Sequence, residues 1–395
     1  MDKKTIADID VLNKKVIVRV DFNVPLKNGV IGDDTRIKEA LPTINYLLNR
    51  GAGVILMSHL GRPDGEVVPE FSLKPVYERL QQLMPDTQVF FATDVVGEDA
   101  MQKSKNLLPG QVLLIENLRY EKGEEENDKA FAEKLASMAD VYVNDAFGTS
   151  HRKHASTYGV AKLLPNAIGF LIEKELKMIC GSINNPKLPF VAILGGAKVA
   201  DKLPIVNTLV ESANTIIIGG GMAFTFLKAM GKNVGNSLVD DEQLDMCKKA
   251  LERAKEKGVN ILLPVDVVVA GDINAKEGDY LKEVDIPKDK MGLDIGKKTI
   301  KLFAKAIKHA KTIIWNGPMG VFENTAFATG TYKVAKAVAK SHSVSIVGGG
   351  DSASAIMHMG FEKKITHIST GGGASLKLLE GKVLPAVDII ENKIV

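Results

Sequence analysis

Four short apolar runs in the first half of the chain each hand over to polar and cationic side chains. Val16–Val20 is followed by Asp21-Phe-Asn23, with Arg36 shortly downstream. Gly53–Met57 leads to Ser58-His-Leu-Gly-Arg62, and Val112–Ile115 leads to Glu116-Asn-Leu-Arg119. Val141–Val143 leads to Asn144-Asp-Ala-Phe-Gly-Thr-Ser-His-Arg152, then Lys153 and His154. Arginine carries a planar fork of N–H donors that suits bidentate binding of phosphate or carboxylate. The chain has eight arginines, seven of them within the first 152 residues, although that part is the more acidic one. Bulk charge does not account for such placement; an anion site does.

The second half uses glycine in the same places. Leu194 is followed by Gly-Gly-Ala-Lys-Val-Ala-Asp-Lys202, Ile218 by three glycines, Val347 by Gly-Gly-Gly-Asp-Ser352, and Ser369-Thr370 by three glycines again. Eleven of the 36 glycines fall in these four clusters. Glycine lets backbone N–H groups come close to a phosphate, and a following helix N-terminus favours the anion. With Lys198 and Lys202 four residues apart in the first cluster, a polyphosphate site is expected. Trp315-Asn-Gly-Pro-Met-Gly-Val-Phe-Glu323 adds an amide and a carboxylate at another strand end. Asp351 reads either as a partner for Mg²⁺ bound to a nucleotide or as a helix N-cap. Glu124-Glu-Glu126 reads as solvated surface. Neither GxxxxGK[ST] nor GxGxxG occurs, so neither a P-loop nor the usual dinucleotide fingerprint is the mechanism.

These residues need strands to carry them. Buried parallel strands are expected at the four runs above and at Val191–Leu194, Thr215–Ile218, Ile261–Leu263, Val267–Val269, Thr312–Trp315 and Val344–Val347. Helical stretches alternate with them, which predicts an α/β fold of doubly wound parallel sheets. About ten strands is many for one open sheet, so two Rossmann-like domains facing a cleft are expected. Ligands in such folds bind outside the carboxyl ends of strands. Ile172, Leu176, Ile179 and Ile183 recur at helical spacing, and Asn184-Asn-Pro-Lys-Leu-Pro189 then breaks the helix. The expected division is a first domain over 1–170, a connecting helix or hinge over 171–185 and a second domain over 186–378.

Composition removes several function classes. The 395 residues carry 51 Lys+Arg against 48 Asp+Glu, too balanced for a protein that neutralises many nucleic-acid phosphates. No run of 18 apolar residues exists, so no membrane partner is expected. The first ten residues lack the apolar core of a secretory signal. Cys180 and Cys247 lie far apart and read as inert thiols in a reducing cytoplasm.

Taken in order, the motifs closely resemble phosphoglycerate kinases over essentially the whole chain. The matching blocks are RVDFNVP (19–25), SHLGRP (58–63), ENLRYEKGEEEN (116–127), VNDAFGTSHRKHAS (143–156) and GGAKVADKL (195–203). They continue with GGGMAFTFL (219–227), MGLDIG (291–296), WNGPMGVFE (315–323), GGGDSASA (348–355) and STGGGASLKLLEG (369–381). Two departures stand out: Lys297 where the family usually has proline, and Ser352 where it often has threonine.

The resemblance implies reversible, Mg²⁺-dependent phosphoryl transfer between ATP and the carboxylate of 3-phosphoglycerate, giving ADP and 1,3-bisphosphoglycerate. By the same resemblance Asp21 and Asn23 hold the glycerate, and His59, Arg62, Arg119 and Arg152 bind its phosphate. Arg36 stands beside the carboxylate and the phosphoryl in flight. Lys198 follows the transferring phosphoryl, Lys202 and Asn316 meet the nucleotide phosphates, Gly292 borders the adenine and Glu323 meets the ribose. Gly349, Gly350, Asp351 and Ser352 line the phosphate path, with Asp351 on the metal. Gly371–Gly373 offer backbone amides, Gly372 being counted with Arg36 and Lys198 among the catalytic groups. A monomer is implied, with the C-terminal tail (379–395) packing on the first domain.

The chemistry fits those residue types. Phosphoryl transfer needs positioning and neutralised charge, and a carboxylate nucleophile is already ionised at neutral pH, so no general base is needed. Substrates on facing walls imply a hinge near 166–189 that closes and excludes water. Without the resemblance, a dinucleotide-dependent dehydrogenase and a non-catalytic binder of phosphorylated metabolites remain open; Lys198 and Asp351 weigh against the passive binder.

Overall fold

A computed structural model describes residues 2–393. Two compact units divide the chain. The first runs to Leu176 and resumes at Val383, and the second is Lys177–Lys382.

The first unit is built on strands β1 (Lys15–Arg19), β4 (Gly53–Met57), β5 (Val89–Phe91), β6 (Val112–Leu114), β7 (Val141–Asn144) and β8 (Asn166–Ile168). A hairpin, β2 (Leu26–Lys27) and β3 (Val30–Ile31), projects between β1 and β4 in sequence. Its turn is Asn28-Gly29, both at positive φ, the conformation that two-residue hairpins need and glycine tolerates. The six-stranded sheet has the order β5-β6-β4-β1-β7-β8 and is parallel throughout. All five residues of β4 are buried, as expected of a strand covered by helices on both faces. Helix Thr35–Asn49 covers one face, burying Ile37, Ala40, Ile44 and Leu47 at helical spacing. Arg36 sits in its first turn.

The order explains the placement of the cationic loops. β6, β4, β1 and β7 are consecutive neighbours, so the four loops leaving their carboxyl ends emerge side by side along one sheet edge.

In the second unit, β9 (Phe190–Leu194), β10 (Thr215–Ile218), β11 (Asn260–Leu262), β15 (Thr312–Asn316), β16 (Val344–Gly348) and β17 (His367–Ile368) form another parallel sheet. Its order is β11-β10-β9-β15-β16-β17. The glycine clusters follow β9, β10, β16 and β17, and the Trp315 motif leaves β15. The expectation of two parallel α/β sheets therefore holds, with one correction. Val267–Val269 does not join the parallel sheet: it belongs to β12 (Val267–Ala270), which pairs antiparallel with β13 (Asp279–Leu281) and β14 (Met291–Ile295). A run of β-branched residues reads the same whichever partner it finds, so its sequence could not assign the sheet.

Helix Phe170–Asn184 carries the chain from the first unit into the second. Its first turn is held by Asp145, whose Oδ1 accepts from the N–H groups of Leu171 at 2.9 Å and Ile172 at 3.3 Å. The returning C-terminal segment is tied to the first unit by Asn144 Nδ2, which donates to Ala386 O at 2.9 Å, and by Lys3 Nζ, which donates to Asp388 O and Ile390 O. Met1, Ile394 and Val395, which fall in the expected first domain and tail, lie outside the described residues. Among the described residues no helix is long and apolar enough to cross a membrane.

Candidate functional site

On the first unit, the loops are cross-braced before any charge is considered. Ser58 Oγ accepts from Phe22 N–H at 2.8 Å, and Asn23 Oδ1 accepts from Gly61 N–H at 2.9 Å. Asn117 Nδ2 donates to Leu60 O and Phe71 O, while its Oδ1 accepts from Leu60 and Arg119 N–H groups. Glu116 accepts from Leu73 N–H and Ser72 Oγ–H. The loop after β4 is thus locked to those after β1 and β6.

Cations crowd this edge. Arg36 forms an ion pair with Asp21. Burial pushes the Asp21 carboxyl up, but the Arg36 and Arg19 guanidinium groups outweigh it and hold the group below the usual carboxylate range. Arg119 is 5% exposed, donates to Gly61 O at 2.8 Å and pairs with Glu125 at 3.0 Å. Burial, and the nearby charges of Arg152 and Arg19, make its protonated form less favourable than usual despite Glu125. Its Nε is buried without a hydrogen-bond partner. Arg152 is half-buried, its Nε donating to His151 Nε2 at 3.3 Å. Arg62 stands exposed, and none of these bonds draws it into the cluster.

Two histidines here are kept neutral. Burial, reinforced by Arg19, drives His59 well below the ordinary value, and burial with Arg19, Arg119 and Arg152 brings His154 down to about 4. His59 therefore offers a single N–H donor rather than a charge.

Sequence reasoning missed what lies underneath. Arg19 is 1% exposed inside β1, and Glu124 is wholly buried. Arg19 Nε donates to Ser156 Oγ at 2.7 Å, and Ser156 donates through its N–H and hydroxyl to the Glu124 carboxylate at 2.9 and 2.5 Å. The reading of Glu124 as solvated surface is thus corrected: a buried arginine requires a buried anion near it. A signal existed in Val-Ile-Val-Arg-Val, an arginine within a strand too apolar to be exposed.

On the second unit, a cavity of about 660 Å³ runs from the glycine turns to an apolar wall. Its lining includes Gly196, Ala197, Gly220, Gly221 and Asp351 together with Phe224, Leu238, Gly292, Pro318, Val321 and Glu323. Gly292 is obligatory there, because a Cβ on it would lie 2.0 Å from Phe224 Cζ. Asp294, also lining the cavity, accepts from the Gly330 and Ile295 N–H groups, and burial raises its carboxyl to about 7.

Gly292, Glu323 and Asp351 therefore share one cavity; Lys198, Lys202, Asn316, Gly349, Gly350, Ser352 and Gly372 lie outside its lining. Lys202 hydrogen-bonds Asn316 Oδ1, and Asn316 Nδ2 donates to Gly348 O at 2.9 Å, which joins β15 to the third glycine turn. Burial lowers Lys202 to about 8 against the pull of Asp201 and Asp351. Ser352 Oγ accepts from Gly317 N–H at 2.6 Å, so this hydroxyl braces the Trp315 turn. Gly349 and Gly372 adopt positive φ and cap the helices Gly350–His358 and Gly373–Leu379. Asp351 lies in a first turn and makes no N-cap bond; the cap position is Gly349. Lys198 is exposed.

A cation-rich edge on one unit and a cavity bordered by glycine turns on the other can be set beside the comparison with known proteins. The sequence model of the family described as phosphoglycerate kinase matches residues 6–382. The chain belongs to the phosphoglycerate kinase family. The phosphoglycerate kinase of Finegoldia magna is 53% identical over 395 residues, all of both chains. That of Thermosipho africanus is 54% identical over 400 residues, all of this chain and 99% of its own. Among solved structures, phosphoglycerate kinase from Coxiella burnetii superposes with a TM-score of 0.89 at 40% identity, covering 98% of each chain. The enzyme from Pyrococcus horikoshii OT3 gives 0.81 at 35% identity, again over 98% of each. The protein is a phosphotransferase of glycolysis, and its small-molecule substrates are ATP and 3-phosphoglycerate.

Proposed function

We propose that the cationic edge of the first unit binds 3-phosphoglycerate and that the cavity of the second binds the nucleotide. The observation that carries this division is the contrast in chemistry. One site gathers the cations Arg36, Arg119 and Arg152 with His59, Asp21 and Asn23. The other joins an apolar wall at Phe224, Leu238 and Gly292 to glycine turns suited to phosphates.

In this reading Asp21 and Asn23 hold the glycerate, and His59, Arg62, Arg119 and Arg152 take its phosphate. Adenine lies against Gly292, ribose meets Glu323, and the phosphates run past Lys202, Asn316 and Gly349–Ser352. Arg36, Lys198 and the Gly372 amide neutralise charge on the transferring group. Two unit charges about 4 Å apart interact by about 4 kcal/mol at an effective dielectric of about 20. Placed cations therefore matter more than acid–base chemistry. The carboxylate of 3-phosphoglycerate attacks as it stands, ionised.

Mg²⁺ is part of this proposal. Among the described residues no group of three or more His, Cys, Asp or Glu side chains could hold a metal, whereas Asp351 is an exposed carboxylate on the cavity wall. One carboxylate suits a Mg²⁺ that arrives on nucleotide phosphates, where it would shield their charge. Transfer also requires the two bound substrates to meet, and we propose closure about 166–189 as that step, in a cytoplasmic monomer.

Arg119→Ala tests the division. It is expected to weaken 3-phosphoglycerate binding at least tenfold with MgATP affinity kept, both by calorimetry. Loss of nucleotide affinity with phosphoglycerate binding intact would overturn the assignment.

A further inference from the structure

Arg19 belongs to no ligand contact in the reading above, yet it is the most buried arginine of the site. Each of its nitrogens has a partner. Nε donates to Ser156 Oγ at 2.7 Å, Nη1 donates to Val20 O, and Nη2 lies 3.2 Å from Nδ1 of His59. A guanidinium has donors only and cannot accept. The Nη2 contact is therefore a hydrogen bond only if His59 Nδ1 is bare, which leaves the ring proton on Nε2.

We propose that Arg19 is a positioning residue that fixes His59 as the neutral, Nε2-protonated tautomer, so that the ring presents one N–H donor to the phosphate of 3-phosphoglycerate. The proposal rests on the placement of that phosphate at His59. The groups facing the imidazole are Arg19 on β1, Asp21 in the loop after β1, Arg36 on helix Thr35–Asn49 and Arg119 after β6. Three of the four are cations, and the ring is only 5% exposed. Burial and the arginines together disfavour a second proton on the ring, and Asp21 alone opposes them. Arg19 is in turn held from behind by Ser156, which donates to the buried Glu124 carboxylate. A chain Glu124–Ser156–Arg19–His59 thus starts in the core of the first unit and ends at the ligand edge. Its consequence is that this donor does not switch off as pH crosses the range in which a free histidine titrates, near 6.5.

The test uses the full chain with ¹⁵N in its histidine rings. Long-range ¹H–¹⁵N correlations are followed from pH 5.5 to 8.5, with the His59 signals identified by their loss in His59→Gln. The expected result is a neutral ring with the proton on Nε2, unchanged across that range. Adding 3-phosphoglycerate is expected to move the Nε2 signal while Nδ1 stays an acceptor. A proton on Nδ1, or titration near the ordinary value, overturns the role of Arg19. The expected tautomer with an Nε2 signal that ignores ligand overturns instead the placement of the phosphate at His59.

Kinetics supply a second arm. Arg19→Met is expected to raise the KM for 3-phosphoglycerate roughly tenfold, the loss of one good hydrogen bond, with kcat changed far less. With one cation removed the ring titrates closer to 6.5, so the ratio of mutant to wild-type KM widens from pH 6 to pH 8. Arg19→Lys, which keeps charge and a donor, is expected to recover part of the KM and the flat ratio. A ratio independent of pH in Arg19→Met counts against the proposal. If that variant does not fold, the spectra of the unaltered chain decide alone.

Discussion

Lys202, proposed above to meet the nucleotide phosphates, gives a prediction whose size follows from its surroundings. Lys202 has its ammonium lowered from 10.5 to about 8, chiefly by burial, with Asp201 and Asp351 only partly offsetting that effect. Each pKa unit is about 1.4 kcal/mol, so the free protein holds this charge at a cost of about 3 kcal/mol relative to water. Polyphosphate beside the ammonium reverses the balance, because an anion at hydrogen-bond distance favours the charged form. Nucleotide binding is then linked to proton uptake. At pH 8 about half of the free protein is neutral at Lys202, so binding takes up about 0.5 proton; at pH 6.5 the group is already charged and uptake is close to zero.

The nucleotide phosphates have their own last pKa near 6 and contribute little at pH 8. Titrating MgADP at pH 8 in two buffers of different ionisation enthalpy reads the uptake directly from the difference in apparent heat. Above pH 8 the dissociation constant is expected to rise about tenfold per pH unit until the bound-state pKa is reached. Lys202→Met should abolish both effects while weakening binding at pH 7. Uptake absent at pH 8, or uptake that survives Lys202→Met, would show that burial does not set the state of this lysine.

Arg36→Ala and Lys198→Ala are each expected to lower kcat by about 10³ with substrate dissociation constants changed far less, measured by steady-state kinetics and calorimetry; equal losses in affinity alone would contradict their place at the transferring group. Gly292→Ala drives a methyl into the Phe224 ring, and about 1–3 kcal/mol of overpacking should appear as weaker nucleotide binding with phosphoglycerate affinity unchanged. Asp145 and Asp294 are raised by burial to about 7, so each folded-state carboxyl holds its proton more tightly than an unfolded one near 3.8. Their contribution is complete below the unfolded value and lost as pH rises through about 7, which makes the fold less stable by about 1.4 kcal/mol per group from pH 6 to 8. Thermal unfolding at the two pH values checks this; Asp145→Asn, which keeps an acceptor for the helix N–H groups, should shrink the drop, and an unchanged drop would refute it.

What was legible in the sequence was what strand ends display. Asp21, His59, Arg119 and Arg152 each follow a strong apolar run, and parallel sheets put ligands beyond such ends. The same rule found the glycine turns after β9, β10, β16 and β17. It could not find the apolar wall of the nucleotide cavity, because Phe224 and Leu238 look like ordinary core residues until the antiparallel strands β12–β14 are folded beside them. Nor could it separate Glu124 from Glu125 and Glu126. Three adjacent glutamates differ only in what they face: Glu124 meets Ser156 inside the fold and Glu125 meets Arg119 at its edge. Ser352 has a structural task the sequence did not display: its Oγ accepts from the Gly317 N–H and braces a turn.

A common feature joins the two sites. In each, the protein's own carboxylates leave a cation partly uncompensated: Arg119 has an unpartnered buried Nε beside two other arginines, and half-buried Lys202 has an amide as its hydrogen-bond partner. A fold optimised only for stability would neutralise such groups, because an underpaired buried charge is costly. Leaving them so means that an incoming phosphate gains more from each contact than it would at a fully paired surface site, where the native partner must first be displaced. Asp21 is paired with Arg36 in the free protein, as Glu125 is with Arg119. In the role proposed for it, Arg36 would exchange part of its bond to Asp21 for the substrate carboxylate and the transferring phosphoryl. That proposed exchange would direct the charge of Arg36 to the reacting groups rather than to ground-state binding, which is the differential stabilisation that raises kcat.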